Sequence, residues 1–279
     1  MTQSSIPTRV AHGGHDDNRY FGYSTFAELL GDETYTGLNV MAVAGRRVDR
    51  ASREMLDDLA VITTVADPRI WPLKLTRVVA SYGGTLAAFA AGQLCMEGDL
   101  IGPWSTRFAA ELWAELRNAI DDDCADDTRV QAEMTSLLAR RKRLVGYGVP
   151  FQAHDKRFFA LRQRVEQRGL QGGPHWRLQE AFSRRVEAER GLGPNILAGA
   201  SALLLDLGFS VAETPALMTF LAQHNFAANA IEGARQAPAV LRSLPVDTAT
   251  YVGEPPRESP RAIAARRGAD SPSVAPVTG

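Results

Sequence analysis

The side chains of this 279-residue chain suited to acid–base, nucleophilic or metal chemistry are five histidines, two cysteines and a scatter of carboxylates. Their spacing rules out several classes. Neither HExxH nor GxSxG occurs, and His12, His15 and His175 have no paired metal spacing, so zinc and serine-hydrolase chemistry lack support and no metal is expected. The acidic run 121–127 around Cys124 lacks the spacing and closing glutamate of an EF-hand and reads as a solvated loop. Glu97 and Asp99 flank Gly98, either as helix-end charges in water or as a carboxylate acting from a turn. His224, near Gln223 and Asn229, reads as a core or interface residue, and His154 stands beside Asp155 as a solvated loop histidine or a proton donor. The run 140–143 (RRKR) is the positive charge that a helix C-terminus favours, not a nucleic-acid patch.

Helices must position these groups, because the periodic segments repeat at three and four residues and no strong alternation marks a half-buried strand. Asp49 or Ser52 caps a helix with Met55, Leu56, Leu59 and Ile62 on one stripe. Phe108, Leu112 and Leu116 follow Ser105 and Thr106, and Leu178, Phe182 and Val186 lie between Pro174 and Gly191. Thr214 and Pro215 open a helix that runs to Gly233. The stretch 76–96 is rich in small residues and reads as one helix buried at a tight interface or in the core. Residues 1–18 and the Pro/Ser/Arg/Gly-rich tail from about 243 carry no hydrophobic period.

Bulk properties narrow the partners. With 31 Lys+Arg against 32 Asp+Glu, no global field attracts nucleic acid or an anionic membrane. The apolar stretches 78–96 and 196–209 are broken by polar residues, and Cys95 and Cys124 form no CxxC, so a reduced cytoplasmic protein is expected.

Four landmarks, in order over roughly 20–257, resemble the citrate synthase and citryl-CoA lyase family, in particular its short lyase-like branch. They are TRVVASYGGTLAAFAAGQLCMEGDLIG (76–102), LVGYGVPFQAHDKR (144–157), GLGPNILAGASALLLDLGF (191–209), and TPALMTFLAQHNFAANAIEGAR (214–235) with YVGEPPR (251–257). The resemblance implies an all-α fold: a large helical domain from 19–103 and 211–243 and a smaller one inserted at 104–210, while the unpatterned composition of 1–18 and 244–279 is expected to leave those ends mostly disordered. It also implies a cleft between the domains, and a homodimer or a heterodimer with a relative, to which 76–96 contributes.

That family removes a proton beside a thioester, stabilises the enolate and polarises a ketone, using two histidines and an aspartate. Aligned by motif, those positions fall on Ile101, Val149 and Leu197, none of which carries a donor or a base. The carboxylate-binding arginines are thinned. Arg157 of Asp155-Lys156-Arg157 remains, the closing-helix arginine falls near Ala222, another is missing or displaced to Arg242, and the early Asp-His-Gly reads Asp67-Pro68-Arg69. By the same resemblance Gly146, Tyr147 and Gly148 would wrap the CoA adenine, and Asn195 would lie near the pantetheine arm. His154 and Arg157 would face substrate, with His154 a replacement acid at the ketone. The expected protein is a catalytically impaired member that keeps CoA or acetyl-CoA binding as a regulatory or scaffold subunit. An active enzyme recruiting Asp99, His154 or Arg157, and a pure interaction module, are the alternatives.

Overall fold

The computed structural model describes residues 6–98, 102–119, 128–149, 154–238 and, beyond them, 247, 250, 252–254 and 258–269. Ile101, Asp99, Cys124 with the run 121–127, Arg242 and Tyr251 lie outside the described residues. The chain divides into two compact units, 1–240 and 241–279. Among its described residues the second holds the helix Pro260–Ala269, within a tail whose composition suggested no regular structure.

In the first unit, α1 (Tyr35–Ala44) and α2 (Arg50–Ile62) precede the pair α3 (Trp71–Tyr82) and α4 (Thr85–Leu94). Then come α5 (Thr106–Ala119), α6 (Thr128–Arg140), α7 (Lys156–Gln167), α8 (Pro174–Arg190), α9 (Ile196–Asp206) and α10 (Glu213–Gly233). The caps follow the sequence closely. Asp49 accepts from the Ser52 N–H at 2.8 Å and α2 buries Met55, Leu56 and Leu59, while α8 starts at Pro174 and stops at a left-handed Gly191. Helix α10 begins one residue before Thr214, whose hydroxyl donates to the Val211 carbonyl instead of capping.

Helix α9 is apolar on every side and therefore central, with α5, α7 and α8 packed around it. The Trp113 indole of α5 donates to Ser201 Oγ at 2.8 Å and to the Ala198 carbonyl at 3.1 Å, which satisfies a ring buried among apolar neighbours. Helix α2 is clamped to α7 by Arg164 and Arg168 on Asp58, at 2.7 and 2.5 Å. At the other side of the unit α10 lies against α3 and α4. The run 140–143 behaves as a helix end, with Arg140 and Arg141 paired to Glu115.

Two expectations change. The stretch 76–96 is not one helix: it breaks at Gly83 and Gly84, where the backbone turns extended, a conformation that costs glycine little. Its second half does not lie in the core of the single chain, where Leu86 and Leu94 are 80% and 71% exposed. The N-terminal stretch also carries structure. Strands β1 (Ala11–Gly13), β2 (Asn18–Tyr20) and β3 (Tyr23–Ser24) form a small antiparallel sheet. Phe21 and Gly22 both have positive φ and close β2 onto β3 in the sense that matches strand twist. Backbone pairing holds these largely exposed strands, so no alternating apolar pattern announces them.

Small residues do bring α3, α4 and α10 together. A Cβ at Gly233 would stand 2.8 Å from Arg77 Cα and 2.9 Å from the Arg77 carbonyl, both backbone atoms that cannot swing aside. Gly233→Ala is therefore expected to cost about 1–3 kcal/mol, read as an earlier denaturant midpoint. An unchanged midpoint would show that the two helices separate easily.

Candidate functional site

Helices α7 and α9 begin side by side, and one carboxylate starts both. Asp155, 3% exposed, caps α7 through the Arg157 N–H at 3.0 Å and accepts the Ile196 N–H at the start of α9 at 2.9 Å. The Arg157 fork completes its shell, with Nε on Oδ1 and Nη2 on Oδ2, both at 2.9 Å. Burial pushes the Asp155 carboxyl upward, but the Arg157 guanidinium and the Ile196 N–H outweigh it and hold the group below the usual carboxylate range. Arg157 is thus engaged by its own helix cap, whereas the sequence suggested a fork open to substrate.

Asn195 is committed in a similar way. Its Oδ1 caps α9 through the Leu197 N–H at 3.0 Å, and its Nδ2 donates to the Gly148 carbonyl at 2.9 Å. The Asn195 N–H donates to the Gly146 carbonyl and the Gly148 N–H to the Gly193 carbonyl, both at 2.8 Å. Gly146, with φ 96°, approaches α9 so closely that a Cβ would stand 3.1 Å from the Ala198 methyl. Tyr147 turns inward, its hydroxyl 2.9 Å from Ser183 Oγ, and burial drives its pKa well above that of an ordinary phenol. The Gly146 and Gly148 carbonyls, the Gly148 N–H and the Tyr147 hydroxyl are therefore hydrogen-bonded within the protein and do not face CoA. Hydrogen bonds between segments some fifty residues apart leave no local sequence signal.

A cavity of about 680 Å³ opens where these helix starts meet α10 and the segment joining α2 to α3. Val149, Leu197 and Ala222, the positions aligned with catalytic or arginine residues, all line it, as do Asn195 and Arg157. Gly102, next to Ile101, lines it as well. The rest of the wall is largely apolar, including Leu73, Met96, Ile196, Met218 and Phe226. Among the described lining residues the ionisable side chains are Asp155, Lys156 and Arg157, and none is a histidine. His154 is exposed, stands edge-on to Phe159 with ring centroids 5.8 Å apart, and does not line the cavity. His224 is exposed too and meets Thr64 Oγ1 at 2.8 Å.

Sequence reasoning missed the device that shapes the opposite wall. Asn225 accepts the Val65 N–H at 2.9 Å and donates to the Ala222 carbonyl at 3.0 Å, while Asn229 donates to the Ala66 carbonyl at 3.1 Å. Two buried asparagines one turn apart in an apolar helix were the available signal. Lys156, exposed at the cavity, was also passed over.

A second cavity, about 700 Å³, lies beside the N-terminal sheet and touches His12 and Glu33. Its carboxylate is already taken by Arg47 and Arg53, so no acid–base pair is left facing it. Among the described residues no cluster of His, Cys, Asp and Glu could hold a metal, and no helix is long and apolar enough to cross a membrane.

This arrangement is an all-α fold shared with solved citryl-CoA lyase and citrate synthase structures. The citryl-CoA lyase of Hydrogenobacter thermophilus superposes with TM-score 0.78 at 18% identity, covering 93% of this chain and 99% of that one. An ATP citrate lyase from Methanothrix soehngenii, solved with citrate and coenzyme A, gives TM-score 0.74 at 13% identity over 94% of this chain and 43% of that one. Citrate synthase from Thermotoga maritima gives 0.54 at 12% identity, covering 92% and 96%. No protein-family model and no curated protein sequence matches the chain.

Proposed function

We propose that this chain is a catalytically disabled relative of citrate synthase and citryl-CoA lyase that binds CoA or an acyl-CoA in the cytoplasm as a regulatory or scaffold subunit. The observation that carries the reading is the convergence of Val149, Leu197 and Ala222 on one ligand-sized cavity whose described wall holds no histidine. Exposed Lys156 beside Arg157 supplies a cationic edge for a phosphate or thioester end, and the apolar wall accepts the acyl end. Contact with CoA is assigned to these groups, because the Gly146 and Gly148 carbonyls, the Gly148 N–H and the Tyr147 hydroxyl are already hydrogen-bonded within the protein. Calorimetric titration with CoA and acetyl-CoA is the test: saturable heat is expected, and a flat titration with both removes the ligand-binding reading.

A dimer, with itself or with a relative, belongs to the same proposal. Trp71, Tyr82, Leu86, Leu94, Phe220 and Ile231 are exposed apolar residues on the mutually packed α3, α4 and α10. Leu94→Glu should shift the protein toward the monomer in sedimentation velocity without lowering its melting temperature. A sedimentation profile identical to wild type would place the interface elsewhere.

A further inference from the structure

We infer that the cavity holds the apolar chain of a fatty acyl group, as a neutral thioester or a free monocarboxylate, in preference to a citrate-like tricarboxylate. This rests on the acyl-ligand reading above and specifies what the acyl end must be. Leu73, Met96 and Phe226 form a packed apolar cluster of their own, and their surfaces continue into Ile196, Leu197 and Met218 around the cavity. Methylenes against such a wall leave water at no polar cost. Each one withdrawn improves binding about fourfold.

Charge argues in the same direction. Lys156 and Arg157 are the cations among the described lining residues, both at the start of α7, and Asp155 already holds two nitrogens of the Arg157 guanidinium. Two cations and one carboxylate leave a single net positive charge. Three carboxylates would bring in charges that find no partner and lose their water, whereas one carboxylate or thioester carbonyl is matched at Lys156 while its chain lies against the opposite wall. The volume of about 680 Å³ is in the range of sites that enclose small molecules.

The test titrates the full chain calorimetrically with CoA, with acyl-CoAs from acetyl to octanoyl, with butanoate to octanoate, and with citrate. Affinity should rise about threefold to fourfold per methylene in at least one acyl series, and citrate should bind more weakly than octanoate. A trend only in the thioesters identifies an acyl-CoA, and a trend only in the free acids keeps the inference while removing the CoA reading. Equal affinity for CoA and every acyl-CoA, with none for the acids, overturns the inference and leaves a CoA scaffold standing. Tighter binding of citrate than of octanoate, or no binding of any ligand, also overturns it. Leu197→Asp, or Val149→Asp should the first fail to fold, locates the site: it should weaken the longest bound ligand at least tenfold, and an unaltered chain-length trend would contradict the assignment to this cavity.

Discussion

Asp155→Ala is expected to lower the unfolding free energy by about 3 kcal/mol. The substitution removes the cap of α7, orphans the Ile196 N–H at the start of α9 and leaves the Arg157 guanidinium without its carboxylate. A fully buried pair would lose more. Arg157, with its side chain 37% exposed, recovers part of the difference from water. Equilibrium urea denaturation reads the effect, and a loss below about 1 kcal/mol would show that α7 and α9 are positioned by packing alone. Acid adds a second readout. Because the folded-state pKa of Asp155 lies below its unfolded value, its contribution is present above the ordinary carboxylate pKa and lost as pH falls through the folded value. Asp155→Asn keeps a capping oxygen without the charge, so its stability should fall less steeply than wild type below about pH 4. Parallel slopes would mean that other carboxylates, such as Glu33 between Arg47 and Arg53, dominate acid unfolding.

Incubated with acetyl-CoA and oxaloacetate the protein should release thiol no faster than buffer, and incubated with citryl-CoA it should form oxaloacetate no faster than buffer. Losing a single general acid or base costs about two to four powers of ten, and groups that act as a unit cannot stand in for one another. Val149 and Leu197 offer neither donor nor acceptor at the cavity, and the nearby carboxylate of Asp155 is saturated by four hydrogen bonds. His154, the one imidazole close in sequence, stands outside the wall. Turnover above buffer that disappears in His154→Ala would return that histidine to the reaction.

The fold was legible wherever local chemistry determines it. The Asp49 cap, the Met55–Leu56–Leu59 stripe and the Pro174–Gly191 brackets each depend on residues within a turn or two, and each stands as read. The Gly83–Gly84 break was hidden, because small residues permit both a helix interior and an extended joint, and only packing on α10 decides between them. The Phe21–Gly22 turn lacks the Asn-Gly or Asp-Gly pair that usually marks it. At the site, motif spacing named residues but not their directions. Val149 and Leu197 do meet at one cavity, yet Tyr147 turns into the core and Asn195 joins a loop to a helix. The role of Asp155 in starting both α7 and α9 was hidden for the same reason, since its partner Ile196 is 41 residues away.

Deuterium exchange at the acetyl-CoA methyl group isolates proton removal from every later step of the chemistry. In D2O, with the protein and an oxaloacetate analogue present, the methyl signal should fade at the rate seen in buffer, because the aliphatic side chains at 149 and 197 have nowhere to put a proton. Exchange faster than buffer would reveal a working base in the cavity and contradict the reading of this chain as a binding protein.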